Sequence, residues 1–119
     1  MKIEVYKDYP QEWEEVISIG VISEIFRFNI HKIEDEFESE YKYECEEVEY
    51  AHKNPLTEDD YGKIVSCIIR GKYSEDDVEA IVNNYLDDPH GHKPEFDELQ
   101  KWRSIAKKRA REIIDSIAE

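Results

Sequence analysis

Cysteine, glycine, proline and methionine are all scarce: 119 residues include two, four, four and one of them. The glycines (Gly20, Gly62, Gly71 and Gly91) stand alone, which excludes a glycine loop that cradles phosphate. Cys45 and Cys67 show neither CxxC nor finger-like spacing, so a structural zinc module is excluded. Both fall on apolar stripes and read as small buried hydrophobes. A long apolar run is also lacking. The longest, Val16 to Ile22, is broken by Ser18 and Gly20, and a membrane-spanning helix needs about 20 apolar residues. The opening Met1-Lys2-Ile3-Glu4 lacks the apolar stretch and small-residue cleavage site of a secretory signal. A reducing, cytoplasmic setting is the expectation. Positive charge is short as well, with 16 basic against 30 acidic side chains and a net charge of −14. Phosphate surfaces would be repelled, so neither direct nucleic-acid binding nor membrane binding is expected.

What is present points to an ordered chain. Aromatic residues make up 12% of the sequence, and apolar residues recur with regular spacing, unlike in a disordered segment. The length suits one domain. Thr57 precedes Glu58-Asp59-Asp60, an N-cap signal with acids in the first turn. Tyr61, Ile64, Val65, Ile68 and Ile69 then mark one helical face, and Gly71 fits a left-handed C-terminal cap. Ser74 and Glu75-Asp76-Asp77 repeat the start signal ahead of Val78, Ile81, Val82, Tyr85 and Leu86, until Asp87-Asp88-Pro89 stops the helix. Residues 57–87 therefore predict a helical hairpin. Pro94 opens a third helix over 94–118, with Phe96, Leu99, Trp102, Ala106, Ala110, Ile113 and Ile117 in step. At 1.5 Å per residue it spans about 37 Å, enough to project or to pack on a partner.

The first half predicts an acidic helical part over 9–53. Ile25, Phe26, Ile30, Ile33, Phe37, Tyr41, Cys45 and Val48 step by three or four, and Gly20 is a possible break. The competing reading is a strand through the alternating Tyr41, Tyr43 and Cys45. Helix is preferred, because glutamate is depleted in strands. Lys2–Tyr6 could form a short strand, with no evident partner. The expected fold is thus all-α: a bundle of four to five helices in one domain over 1–119, with a long C-terminal helix and a possible N-terminal strand.

Charge is unevenly spread. Residues 1–60 carry 18 acids and 6 bases, and residues 61–119 carry 12 and 10. Nine carboxylates lie between Glu34 and Glu49. Glu38, Glu40, Glu44, Glu46 and Glu47 form the acidic pole on that reading. Lys101, Arg103, Lys107, Lys108, Arg109 and Arg111 form a basic cluster on the last helix. These are the candidate docking residues for a protein partner or a second copy. The plainer reading has the two poles pairing inside the fold.

Chemistry-bearing motifs are few. Asp87, Asp88, His90, His92, Glu95 and Asp97 could hold a divalent ion in a short loop, but they also read as a polar turn with acidic capping. Glu95-x-x-Glu98 and, 13 residues on, Glu112-x-x-Asp115 match the spacing with which all-α nucleotide pyrophosphohydrolases hold magnesium. On one helix the pairs would stand about 21 Å apart, too far for a single ion. No nucleophile elbow is present. No catalytic residue, metal site or cofactor is therefore assigned.

Lys72-Tyr73-Ser74-Glu75-Asp76-Asp77-Val78-Glu79-Ala80-Ile81, followed by Glu95-Phe96-Asp97-Glu98-Leu99-Gln100-Lys101-Trp102-Arg103 and Ala106-Lys107, resembles a C-terminal helical segment of small phage and prophage proteins of gut bacteria. The resemblance covers about residues 68–112 and carries no activity. It implies a phage-encoded accessory or virion component. The expected function is non-enzymatic protein–protein interaction or assembly. The alternatives are an acidic DNA-mimic inhibitor of a host nuclease or restriction system and, third, a metal-dependent nucleotide hydrolase.

Overall fold

A computed structural model describes residues 1–34 and 40–117. The chain divides into two compact units, Met1–Pro55 and Leu56–Glu119. The first is a four-stranded antiparallel sheet and the second holds three α-helices, so the fold is α+β. This corrects the all-α expectation.

The sheet comprises β1 (Lys2–Tyr6), β2 (Trp13–Ser18), β3 (Val21–Lys32) and β4 (Tyr43–His52), in the order β1-β4-β3-β2. The possible N-terminal strand has a partner after all, since β1 pairs with β4. Two conditions make strands where a helical step was read. First, Val21–Lys32 is rich in β-branched and aromatic residues, which fit a pleated surface better than a helix. Secondly, the glutamates that argued against a strand in β4 have partners across the sheet: Glu47 faces Arg27 and Glu44 faces His31. Gly20 is not a helix break but half of a two-residue hairpin turn between β2 and β3. Ile19 and Gly20 both have positive φ (27° and 75°), the geometry of a type I′ turn whose twist matches the strands it joins. Asn29, at φ 52°, sits in the register shift between Phe28 and His31. Asparagine tolerates that left-handed conformation.

Cross-strand partners share a face. Trp13, Phe26 and Val48 therefore lie together on one side, next to the row Glu15, Glu24 and Tyr50. Arg27, Glu47 and Lys2 lie on the other. Phe26, Phe28 and Cys45 are buried, and so are Glu24 and Arg27.

The second unit consists of α1 (Asp60–Lys72), α2 (Glu75–Asp87) and α3 (Lys93–Ile117). The Thr57 amide donates to the Asp60 carboxylate at the start of α1. Gly71 does not cap α1, which runs through it to Lys72 and ends at an extended Tyr73. Ser74 forms a reciprocal capping box with Asp77 at the start of α2, satisfying two amides that the helix leaves unbonded. Helix α3 packs chiefly on α1 and less on α2. Their seam holds Ile64, Val65 and Ile68 of α1 with Leu99, Trp102, Ala106, Ala110, Ile113 and Ile114 of α3, all buried. Burial of each large aliphatic side chain contributes about 1.5–3 kcal/mol. The Trp102 indole also donates to the Ile68 carbonyl at 3.0 Å, which satisfies its one polar atom. No helix among the described residues is long and apolar enough to cross a membrane.

Candidate functional site

The two charged poles are distributed differently from the expected rod and cluster. The acidic residues lie on or beside a strand, so successive carboxylates alternate between faces. Glu44 and Glu46 share the side of Val5 and Ile3, while Glu47 takes the other. Glu47 accepts from the Arg27 Nε at 2.9 Å, Glu44 lies 3.4 Å from the His31 imidazole, and Glu40 pairs with Lys7. Glu38 falls outside the described residues. On α3, Lys101, Lys107 and Lys108 are exposed, whereas Arg103 and Arg109 are half-buried. Arg111 grips Glu58 with both amino groups, at 2.5 and 3.1 Å, and also meets Asp115. That fork holds the Glu58 carboxyl below the ordinary carboxylate range and pushes the guanidinium higher still. The ion pairs found for these acids stay within the sheet unit, and those of Arg111 stay within the helical unit.

The sequence-level metal candidates do not converge. Asp88 accepts from the Gly91 amide, His92 meets Glu95 at 2.8 Å, and Lys93 pairs with Asp97. These side chains fold the turn into α3. Glu95, Glu98, Glu112 and Asp115 are strung along that one continuous helix.

Three arrangements escaped the sequence reading. The first is a polar hub around Arg27. Its guanidinium donates to Glu47, to Glu14 at 2.8 Å and to the Gln11 carbonyl at 3.0 Å, and it lies over the Tyr6 ring, whose hydroxyl donates to Glu47. Every arm is occupied, so the hub reads as a structural clasp of all four strands and the segment before β2.

The second lies on the opposite face of the sheet. Glu15 and Glu24 are direct cross-strand partners, and His52 lies one diagonal step along β4. Glu24 is fully buried. One of its oxygens accepts from the Trp13 indole at 3.1 Å, and the other lies 3.1 Å from His52 Nε2. Nδ1 of His52 points at the Asn54 carbonyl, 2.6 Å away, so it carries a proton and presents Nε2 to the carboxylates. The Tyr50 ring stacks on the imidazole and holds its plane. Burial and the neighbouring Glu15 push the Glu24 carboxyl above its ordinary value, against the opposing hydrogen bonds from His52 and Trp13.

The third is a groove of about 340 Å³ between α1 and α2, lined by Ile69, Tyr73, Val78 and Val82, with Glu79 and the Arg70–Glu75 ion pair among its walls. None of the five apolar stripe residues of α2 is fully buried, and Leu86 is 70% exposed. Tyr85 of α2 stacks on Phe96 of α3, 3.8 Å between ring centres. The register of β2, β3 and β4 together is the signal that would have found the second site. The stripe of α2 was visible in sequence, but its exposure was not. No family model, curated protein or solved structure matches the chain.

Proposed function

We propose that this is a non-enzymatic interaction protein that assembles with copies of itself through its helical unit. The observation that carries the reading is the α1–α2 groove: an amphipathic helix with a five-residue apolar stripe that leaves none of it fully buried. Such a surface gains by being covered. The outer face of α3 offers an apolar residue with flanking positive charge. Ile105 is 38% exposed there, flanked by exposed Lys101 four residues before it and Lys108 three after, a helical neighbourhood. Seated in the groove of a second copy, Ile105 would meet Ile69, Val78 and Val82, with Lys108 beside Glu79. Complementary charge of this kind favours register and encounter rate more than affinity. The resemblance of residues 68–112 to phage segments supports a phage-encoded setting. Cys45 and Cys67, neither of them in a disulfide, support a reducing, cytoplasmic one.

Sedimentation of the full chain tests this. The expected result is a mass above that of one chain, falling to one chain in Val82→Glu and in Ile105→Glu. A mixture of Lys108→Glu with Glu79→Lys chains should recover association. A single-chain mass at all concentrations in the wild type would refute the reading.

A further inference from the structure

The geometry points to a site for one divalent first-row transition-metal ion on the sheet, with Glu24 and His52 as inner ligands and Glu15 as the ligand at its solvent mouth. The inference is independent of self-association, because all three residues belong to Met1–Pro55.

Four observations support it. The three ligand atoms, one from each side chain, lie within 4.8 Å of one another. Zinc ligands at about 2.0–2.1 Å stand about 3.3 Å apart in a tetrahedron, and Glu24 Oε2 is already 3.1 Å from His52 Nε2. The tautomer is also set. The Asn54 carbonyl accepts from the His52 Nδ1–H and leaves Nε2 turned inward, the outer-shell contact by which metal-bound histidines are oriented. The Trp13 indole likewise occupies one oxygen of Glu24 and leaves the other for the ion.

Charge makes the third observation. The register sets two carboxylates directly opposite each other, one of them fully buried, where like charges destabilise a sheet. Two carboxylates and a neutral imidazole around a divalent ion sum to zero, which removes that conflict. Access is the fourth. Glu15 is exposed while His52 and Glu24 are at least nine-tenths buried, so the site is closed on one side and reachable from the other. One nitrogen and two oxygens favour zinc or manganese over magnesium or calcium, which take all-oxygen sets.

The test is titration of the full chain with zinc chloride and with manganese chloride, by calorimetry and, for zinc, by nitrogen NMR of the His52 ring. The expected result is one ion per chain, a shift of the His52 Nε2 resonance, and a thermal midpoint raised by about 5 °C at saturation. Glu15→Gln, at an exposed edge position, should retain the fold and weaken binding by about tenfold or more. Glu24→Gln keeps the hydrogen-bonding shape and should abolish the His52 shift. Binding of neither ion would overturn the proposal and leave a carboxylate–imidazole cluster held by a shared proton. Wild-type affinity in both variants with His52 unmoved would overturn it too, assigning the ion to scattered surface acids.

Discussion

The sheet of Met1–Pro55 and the helices of Leu56–Glu119 differ in what they bury. Among the described residues, the helical unit buries ten apolar residues, from Leu56 to Ile114, and no charged one. The sheet unit buries Phe26, Phe28 and Cys45 alongside the charged Glu24 and Arg27. One is held by non-directional packing that tolerates approximate shape. The other depends on polar geometry, in which each buried group needs a particular partner. Damage to the first should scale with lost volume, and damage to the second with orphaned charge.

That contrast can be broken from either side. The largest effect is expected at Trp102. Trp102→Ala should cost the helical unit about 3–5 kcal/mol in urea unfolding, since it removes both volume and the bond to Ile68. A cost below about 1 kcal/mol would show that the α1–α3 seam is not the core. Next comes Arg27→Met, which leaves Glu47 facing the sheet without its cation and should cost about 3 kcal/mol. Adding Glu47→Gln should recover a large part of that loss, because it removes the orphan. Equal losses in the single and double variants would mean that Arg27 acts through its bulk alone. The smallest effect has the opposite sign. Ile19 is a β-branched residue at φ 27°, fully exposed at the hairpin tip, so its strain has no packing to offset it. Ile19→Asn should stabilise the sheet by about 1 kcal/mol, read as a higher urea midpoint.

The same contrast explains what could be read in advance. Helix α2 is legible because Ser74, the acids behind it and the 3–4 stepping of Val78 to Leu86 agree in one local stretch. In β3, by contrast, buried positions on both faces are taken by charged residues, Glu24 on one and Arg27 on the other, so the alternation of apolar and polar residues that marks a strand is broken where it matters most. Ile25, Phe26, Ile30 and Ile33 then mimic a helical step by chance. The glutamates of β4 add to this, because their partners Arg27 and His31 come from β3 and are invisible until the strands are paired. The candidate metal ligands suffer the same blindness. Glu15, Glu24 and His52 share no motif spacing, and only the register of three strands brings them together. The docking groove was half legible: the stripe is local, but whether a neighbour covers it is a tertiary fact.

Strand β2 carries one more consequence. It stands at the end of the strand order, and five of its six residues are exposed, including Val16 and Ile17. Unpaired edges of this kind template stacking by other chains unless charge keeps them apart. Glu14 and Glu15 project from opposite faces of it, and a second copy of the strand meeting it at the usual spacing of about 4.8 Å would set like charges against each other. The acidity of this edge thus guards the sheet against fibrils.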